Sequence, residues 1–348
     1  MSETKITVAV LGASGYTGAE TLRIAATHPA MHIVALTAER RAGQKVAAVH
    51  PHLAGMGLPP MCKIEEMGWQ GVDAVFCCLP HATTQEVVAG LPRHLKVIDL
   101  SADFRLRDEA VYAEWYGHEH LAPALQPEAV YGLTEHYRSE IAKARIVACP
   151  GCYPTSALLP LLPIVAAGQI EVGDIVIDSK SGVTGAGRTP KEGTLYAEVA
   201  EGIHAYGIAQ HRHAPEMEQE LAVAAGQMIT VNFTPHLVPM NRGILSTIYV
   251  RLANGVDIAA LRASLRAAYD DEAFVRLVPE GQTPATRHVR GSNHCLIGVF
   301  EDRVPGRAIL VSVLDNLVKG AAGQAVQNFN VAFGLPETMG LESQPLFP

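Results

Sequence analysis

The sequence predicts an α/β fold: a Rossmann-type doubly wound parallel sheet, followed by a second α+β domain with a largely antiparallel sheet. The first observation is a short apolar run, KITVAVL, that leads directly into a glycine-rich turn and a helical segment. The second is the alternation of strand-like and helix-like segments up to residue 150, which is typical of parallel sheets. The third is a change after Cys152, where strand-like runs follow one another with few helices between them, as in antiparallel sheets.

The N-terminal strands are predicted from short, almost continuous apolar runs, which suit strands buried on both faces of a sheet. These runs are residues 5–11, 33–37, 72–79 and 96–100. Helices are predicted between them from the periodicity of residues 19–28 and 83–91.

The part of the chain after Cys152 is predicted to contain further strands at residues 174–179, 230–235, 243–252, 295–301 and 307–314. Helical periodicity is present at residues 156–167, 258–269 and 315–333. Residues 181–188 (SGVTGAGR) are predicted to form a glycine-rich loop.

The composition excludes several classes of protein. The net charge of −8 disfavours nucleic acid as the main partner, because phosphate backbones require a basic surface. No window reaches the run of about 18 uncharged apolar residues that a membrane helix needs, and the N-terminus lacks an apolar signal core. Six cysteines in 348 residues do not form a disulfide scaffold. We therefore expect a cytoplasmic protein with neither a membrane nor a nucleic-acid partner.

The turn after the first strand is the first candidate binding site. Its glycines have the spacing G-x-x-G-x-x-G. Glycines let the backbone approach a pyrophosphate closely, and the N-terminus of the next helix offers free N–H groups. The position in the first β-α unit favours dinucleotide binding over an ordinary turn. The candidate contacts are Gly12, Ser14, Gly15, Tyr16, Thr17 and Gly18.

The end of the second strand bears on the choice between NAD and NADP. Thr37 is followed by Ala38, Glu39, Arg40 and Arg41. An acidic residue such as Glu39 accepts from the ribose hydroxyl of NAD, whereas guanidinium groups suit the 2′-phosphate of NADP. Two adjacent arginines favour NADP(H) as the cofactor. The alternative is that both are solvated surface charges.

Cys149 and Cys152 stand in the segment ACPGCYPT and allow two interpretations. A redox or zinc pair needs a thioredoxin-like context or a second pair of ligands, and the sequence offers neither, so no metal site is expected. A single nucleophile is better supported, because Cys152 precedes a helix whose dipole favours the thiolate. Downstream, His211 and His213 flank Arg212 and are candidates for proton transfer. Cys149 is then a bystander.

Six motifs occur in an order that resembles one enzyme family. They are GASGYTG, DLSADFRL, YGLTE, PGCYPT, KSGVTGAGR and HRHAPE. From residue 6 to about residue 330 the chain is similar to the N-acetyl-γ-glutamyl-phosphate reductases, which are related to aspartate-semialdehyde dehydrogenase. The family often has proline where this chain has Thr134. This difference affects a loop more than it affects the residues expected to carry out the reaction.

The resemblance implies NADPH-dependent reduction of N-acetyl-γ-glutamyl phosphate to N-acetyl-L-glutamate 5-semialdehyde and phosphate, in arginine biosynthesis. It implies a thioester on Cys152, with His211 as the acid/base in preference to His213, and Arg105 as the residue that holds the phosphate. Ser181 and Gly182 are expected to open a loop over the cofactor. Asn316 is expected to touch the nicotinamide side.

The substrate carboxylate has two candidate partners, Arg188 and Arg212, either of which can equally be a member of a structural ion pair. The resemblance further implies a homodimer or homotetramer of two-domain subunits. Residues 1–150 with 315–348 are assigned to an NADP-binding Rossmann domain completed by the last helix. Residues 151–314 are assigned to a catalytic and oligomerisation domain.

Two alternatives stay open. The first is the same chemistry on another acyl phosphate, either aspartyl phosphate or a carrier-bound aminoadipyl phosphate. The second is a non-enzymatic NADP-sensing or redox protein, in which Cys149 and Cys152 would form a disulfide under mild oxidation.

Overall fold

The computed structural model describes residues 5–347, which divide into two compact units. Unit 1 comprises the described residues up to Pro150 together with Ala321–Glu342. Unit 2 comprises Gly151–Gly320 and the described residues from Ser343 onward. The chain therefore enters unit 2 directly before Cys152 and returns to unit 1 at Ala321.

In this described range the strands are β1 (Ile6–Leu11), β2 (Met31–Thr37), β3 (Met61–Cys62), β4 (Ala74–Cys77), β5 (Lys96–Asp99), β6 (Ala129–Tyr131), β7 (Ile146–Ala148), β8 (Ile170–Gly182), β9 (His204–Ala205), β10 (Asn232–Val238), β11 (Ile244–Leu252), β12 (Val275–Leu277), β13 (Cys295–Glu301) and β14 (Arg307–Leu314). The α-helices are α1 (Tyr16–Ala25), α2 (Thr84–Gly90), α3 (Glu109–Tyr116), α4 (Thr134–Ile141), α5 (Cys152–Ala166), α6 (Tyr196–Val199), α7 (Ala214–Ala225), α8 (Ile258–Tyr269) and α9 (Gly323–Ala332).

Unit 1 is built on a seven-stranded sheet with the order β3-β2-β1-β4-β5-β7-β6. Every neighbouring pair in it is parallel. Strands β4 and β7 are buried along their whole length, as apolar runs covered on both faces should be. The chain adds β2 and β3 on one side of β1 and then β4 and β5 on the other side. The switch point of the sheet therefore lies between β1 and β4. The predicted Rossmann-type sheet is confirmed.

Helix α9 completes unit 1 although it comes last in the sequence. The fully buried ring of Phe329 lies 5.6 Å from the ring of Phe76 on β4, measured between centroids. The side-chain amide of Asn328 donates to the carbonyl oxygen of Gly132 at 2.8 Å, and its oxygen accepts from the hydroxyl of Thr134 at 2.7 Å. Apolar and amide contacts together therefore fix this helix.

Unit 2 contains a second seven-stranded sheet, with the order β12-β13-β14-β11-β8-β10-β9. Four neighbouring pairs are antiparallel and two are parallel. Buried and part-buried residues alternate along β10 and β11, because helices cover one face of the sheet. Helix α5 packs against β11 on that face and against α7. The predicted largely antiparallel sheet is confirmed.

Several element boundaries differ from the sequence-based prediction by a few residues, and two of these differences concern the segments around Cys152 and Ser181. Helix α5 begins at Cys152 and not at residue 156, because Gly151 has extended dihedral angles and ends the preceding segment as the N-cap. Strand β8 runs to Gly182, so that Ser181 pairs with Ile244 and the predicted glycine-rich loop begins later.

The predicted helix at residues 315–333 is divided between the two units. Residues 315–320 belong to unit 2, because the carboxylate of Asp315 accepts from the N–H of Gly291 at 2.7 Å and the side chain of Asn316 accepts from the N–H of Gly243 at 2.8 Å. A π-helical turn at Val318–Ala322 then leads into α9. Among residues 5–347, no helix combines the length and apolarity that crossing a membrane requires.

Candidate active site

Gly12 is the first residue of the glycine-rich turn that follows β1. Its φ of 83° is left-handed, and a Cβ atom there would collide with the carbonyl oxygen of Cys78. Its N–H donates to the carbonyl oxygen of Thr37 at 3.1 Å. The turn therefore brings together the carboxyl ends of β1, β2 and β4, the edge of a parallel sheet at which ligands bind.

Gly15 and Gly18 have different roles at the start of α1. Gly15 is the N-cap, no side chain caps this helix, and its first turn carries no acidic residue. A Cβ atom on Gly15 would make only an ordinary contact, 3.7 Å from the carbonyl oxygen of Gly12, whereas one on Gly18 would collide with that oxygen. Gly18 therefore permits close packing. Gly15, with the N–H groups of Tyr16 and Thr17, suits the approach of a phosphate.

A histidine that sequence reasoning missed holds the same turn. Nε2 of His50 lies 3.1 Å from the carbonyl oxygen of Ser14, and only 6% of His50 is exposed. No local pattern marks this histidine, since the contact depends on how the segment between β2 and β3 packs on the turn.

The residues after β2 form an exposed 3-10 turn, Glu39–Arg41. Thr37 at the end of β2 is buried, and its carbonyl oxygen accepts from the N–H groups of Gly12 and Ala13. Arg40 and Arg41 are both exposed in this turn, which begins two residues after Thr37. The residues of this edge fit a nicotinamide dinucleotide. The turn after β1 has glycine at positions 12 and 15, no side chain caps the N-terminus of α1, and two arginines follow β2.

Arg105 lies in the loop after β5 and is only 8% exposed. Its Nε donates to the carbonyl oxygen of Cys149 at 2.8 Å, and Nη2 donates to that of Leu100 at 3.3 Å. These bonds fix the plane of the guanidinium group.

Cys152 is the first residue of α5, where the helix dipole favours a thiolate. The first turn of the helix contains no acidic residue. A Cβ atom on Gly320 would lie 2.8 Å from Cβ of Cys152, so glycine is needed in the π-helical turn for this close approach. The sequence predicted a cysteine near a helix N-terminus. It carried no signal for Gly320, which is distant along the chain.

The first turn of α7 packs against the residue before Cys152. A Cβ atom on Gly151 would collide with the imidazole of His213. The N–H of Gly151 donates to Oε1 of Glu216 at 2.7 Å, and Glu216 is 1% exposed. His213 and Glu216 therefore define the surroundings of the N-cap of α5. Sequence reasoning ranked His213 second and did not single out Glu216.

His211 lies in an aromatic cage. The centroids of the Tyr206, Tyr153 and Phe233 rings lie 5.4–5.6 Å from the centroid of its imidazole. Its Nδ1 accepts from the backbone N–H of His213 at 3.1 Å, and the centroids of the two histidine rings are 4.7 Å apart. Burial, with a smaller contribution from the charge of Arg212, lowers the pKa of His211 to about 4. His211 is therefore a neutral side chain at neutral pH.

Ser181 and Asn316 lie in the same unit as Cys152. Ser181 is buried and interacts with the hydroxyl of Tyr153, the residue after Cys152. Asn316 is buried between two segments, since it accepts from the N–H of Gly243 and donates to the hydroxyl of Thr184 at 3.0 Å. Gly182 approaches the carbonyl oxygen of Asn241 so closely that a Cβ atom there would lie 2.7 Å from it.

Arg188 and Arg212 are both exposed. Arg188 lies two residues beyond the 3-10 turn Val183–Ala186. Arg212 stands between the two histidines in sequence.

Cys149 differs from Cys152 in its surroundings. It is 1% exposed, its sulfur lies 3.6 Å from the side-chain nitrogen of Asn328, and burial raises the pKa of its thiol to about 12. Such a thiol is a weak nucleophile at neutral pH.

The chain matches two family models, "Semialdehyde dehydrogenase, NAD binding domain" over residues 7–144 and "Semialdehyde dehydrogenase, dimerisation domain" over residues 152–316. It is 60% identical to N-acetyl-gamma-glutamyl-phosphate reductase of Rhodospirillum rubrum, over 100% of both chains. The chain belongs to the N-acetyl-gamma-glutamyl-phosphate reductase family.

Solved structures of aspartate semialdehyde dehydrogenases share the fold of this N-acetyl-gamma-glutamyl-phosphate reductase family member. Aspartate semialdehyde dehydrogenase II of Vibrio cholerae superimposes with a TM-score of 0.71 and 19% identity, over 95% of this chain and 99% of that one. The Candida albicans enzyme, solved with NADP, gives a TM-score of 0.70 at 17% identity, over 94% of this chain and 99% of that one.

Membership of the N-acetyl-gamma-glutamyl-phosphate reductase family makes the chain an oxidoreductase of amino-acid biosynthesis that acts on a small molecule with a nicotinamide dinucleotide. The family resemblance, the fold class and the enzyme class predicted from the sequence are confirmed.

Proposed function

We propose that the chain reduces N-acetyl-γ-glutamyl phosphate with NADPH to N-acetyl-L-glutamate 5-semialdehyde and phosphate, in arginine biosynthesis, through a thioester on Cys152. The observation that carries the proposal is the position of Cys152 at the N-terminus of α5, with the ring of His213 packed against Gly151. The name of the 60% identical relative supports the substrate.

Cys152 acts as the nucleophile. Its thiolate forms a bond with the γ-acyl carbon, and phosphate leaves with the electron pair of the broken carbon–oxygen bond. The N-terminal N–H groups and dipole of α5 stabilise both the thiolate and the negative charge that develops on the acyl oxygen. A thioester remains on the sulfur, and it accepts hydride more readily than a carboxylate would.

A nicotinamide dinucleotide held at the glycine-rich turn would supply the hydride that reduces this thioester. Cys152 then leaves the tetrahedral carbon as a thiolate, and the semialdehyde is released. During these steps one proton must be delivered to the oxygen on the tetrahedral carbon and removed from it again as the semialdehyde forms. A histidine can do both.

The histidine pair supplies this proton transfer. The family resemblance implied His211, but two observations support His213 as the group nearest the chemistry. The ring of His213 lies against Gly151, and the low pKa of His211 leaves too little of its protonated form at neutral pH for an efficient acid. In this assignment His211 supports His213 from the aromatic cage.

The proposed cofactor is NADPH, because Arg40 and Arg41 lie exposed after Thr37, where a 2′-phosphate would be placed. Replacing both arginines by alanine should raise the Kd for NADPH about tenfold or more and change that for NADH little. Titration of both cofactors against the variant measures this, and equal losses would mean that the pair is surface charge.

We assign the departing phosphate to Arg105, whose guanidinium plane is fixed by two backbone carbonyls. Arg188 and Arg212 remain the candidates for the substrate carboxylate.

The proposed assembly is a homodimer or homotetramer in the cytoplasm. The part-buried face of the unit 2 sheet and the match of residues 152–316 to a dimerisation domain support self-association through unit 2. All six cysteines lie within residues 5–347, and no disulfide joins any two of them, which supports a reducing compartment.

The proposal is tested by trapping the thioester. Enzyme mixed with the acyl phosphate without NADPH should gain one acyl group on the Cys152 peptide, as measured by mass spectrometry. Cys152→Ser should gain no thioester and should lose turnover while still binding NADPH. Cys149→Ala should behave as the wild type in both measurements.

Two further measurements distinguish this proposal from the alternative functions. Higher turnover on aspartate semialdehyde than on the N-acetylglutamate compound, in the phosphate-dependent reverse reaction, would overturn the substrate assignment. Two results together would favour the redox protein: Cys152→Ser retains the biological role, and the wild type forms a Cys149–Cys152 disulfide under mild oxidation. The raised pKa of the Cys149 thiol weighs against that candidate.

A further inference from the structure

The loop after β4 lies beside the glycine-rich turn of unit 1. The N–H of Cys78 donates to the carbonyl oxygen of Leu11 at 2.8 Å, and the carbonyl oxygen of Cys78 fills the space that a Cβ atom on Gly12 would need. Because β1 and β4 flank the switch point of the sheet, the two loops form the two walls of its ligand crevice. The glycine-rich turn is one wall. The loop at residues 78–84 is the other.

The second wall contains a residue in an unusual conformation. Ala82 has φ 70°, which a residue with a side chain rarely adopts. Such strain persists only where the surroundings enforce it, and it is concentrated at functional sites. Its neighbours His81 and Thr83 are exposed, so the strain is not a by-product of core packing.

Asp103 enforces this conformation. Its Oδ1 accepts from the N–H of Ala82 at 2.9 Å, and its Oδ2 accepts from the N–H of Thr84 at 3.0 Å. The hydroxyl of Tyr112 donates to the same Oδ1 at 3.1 Å. The carboxylate is fully buried. One side chain therefore holds the loop on both sides of Thr83.

Asp103 is itself held in place. Its N–H donates to the hydroxyl of Ser101 at 3.1 Å, and its carbonyl oxygen accepts from the side-chain amide of Gln85 at 3.2 Å. A ring nitrogen of His120 lies 2.8 Å from the same oxygen. A fixed anchor of this kind can transmit a defined geometry to an exposed loop.

We propose that Asp103 is a positioning residue for the cofactor, which holds Ala82 in its left-handed conformation so that residues 81–83 form the second wall of the dinucleotide crevice. The inference rests on the proposed function, because it takes NADPH as the dinucleotide. Asp103 contacts no cofactor itself. It acts through the backbone of the loop.

Two substitutions of Ala82 form a matched pair. Glycine adopts a positive φ without strain and keeps the N–H that binds Asp103, so Ala82→Gly should keep the Kd for NADPH within about twofold of the wild type. Proline fixes φ near −65° and has no N–H, so Ala82→Pro should raise this Kd by about tenfold or more. The KM for the acyl phosphate should change little in either variant. Ala82→Pro should also lower the melting temperature, because it deprives the buried Asp103 carboxylate of a donor, so NADPH binding is measured well below that temperature.

Substitution of the anchor completes the test. Asp103→Asn should also raise the Kd for NADPH, and the double variant with Ala82→Gly should recover part of the affinity. Asp73→Asn is the control, because the Asp73 carboxylate also accepts from a backbone N–H, that of Thr7 at 2.8 Å, but lies at the amino ends of β1 and β4, the edge of the sheet opposite the crevice. It should leave the Kd close to the wild-type value.

Wild-type binding of NADPH, measured by calorimetry, separates the two proposals. If the wild type does not bind NADPH, the proposed function is wrong. If it binds NADPH and Ala82→Pro binds it equally well, the positioning role of Asp103 is wrong and the proposed function stands. A lower melting temperature of Asp103→Asn with unchanged NADPH affinity below that temperature would also overturn the role.

Discussion

At the scale of single residues, the two histidines of the HRHAPE motif differ more in environment than in sequence. His213 lies against Gly151, and His211 lies among Tyr153, Tyr206 and Phe233. The sequence identifies both as candidates because they flank one arginine. It cannot rank them, since the aromatic cage is assembled from three separate segments of unit 2.

The lowered pKa of His211 predicts a pH dependence of stability. The unfolded chain protonates this imidazole near pH 6.5, whereas the folded protein does so only near pH 4. The stabilising contribution is therefore complete above pH 6.5 and is lost as the pH falls toward 4, at about 1.4 kcal/mol for each pKa unit. Thermal melts between pH 7.5 and pH 5 should show a smaller loss of stability for His211→Asn than for the wild type. Parallel pH profiles would contradict the assignment.

At the scale of elements, the order strand, turn and helix of β1 and α1 was predictable, although α1 begins and ends three residues earlier than the periodicity indicated. The spacing of three glycines between an apolar run and a helical segment is a local signal. The start of α5 and the end of β8 were less predictable. The start of α5 depends on packing of the first turn of α7 against Gly151, and the end of β8 depends on pairing with β11. The Gly320 contact with Cys152 and the Asp103 anchor could not be read from the sequence, because no local rule relates residues so far apart.

The different roles of Gly15 and Gly18 predict different defects. Gly18→Ala forces a Cβ atom into the carbonyl of Gly12 and should lower the melting temperature of unit 1, by about 2–8 °C for a loss of about 1–2 kcal/mol. Gly15→Ala meets no such obstacle and should keep the melting temperature. Its Kd for NADPH should still rise about tenfold, because the added methyl group occupies the approach of the phosphate.

Calorimetry and NADPH titration of both variants separate the roles of the two glycines. Unchanged NADPH affinity in Gly15→Ala would show that the cofactor does not approach this turn closely.

At the scale of the whole molecule, the fold class followed from the alternation of segments, whereas the place where the chain returns to unit 1 did not. The sequence placed the return at residue 315, but buried polar bonds of Asp315 and Asn316 keep the chain in unit 2 up to Gly320. Asp315 and Asn316 fall within a segment of helical periodicity, and that pattern does not indicate that their side chains bind the N–H groups of Gly291 and Gly243.

The late return of α9 makes unit 1 depend on the end of the chain. Phe329→Ala removes a fully buried ring that contacts Phe76, and should destabilise unit 1 by about 3–5 kcal/mol. Phe347→Ala, at a side chain that is 65% exposed, is the control and should cost less than about 1 kcal/mol. Hydrogen exchange should locate the loss in the strands of unit 1. A uniform loss over both units would contradict this dependence.

The distribution of the six cysteines has a practical consequence. Cys77, Cys149 and Cys295 are fully enclosed, and burial raises the pKa of the thiols of Cys62 and Cys78, the latter to about 12. Cys152 alone combines partial exposure with a helix N-terminus. Brief alkylation near neutral pH should therefore consume about one equivalent of reagent per folded chain. On the role proposed for Cys152, this one equivalent counts the competent molecules in a preparation, which a measurement of protein mass does not.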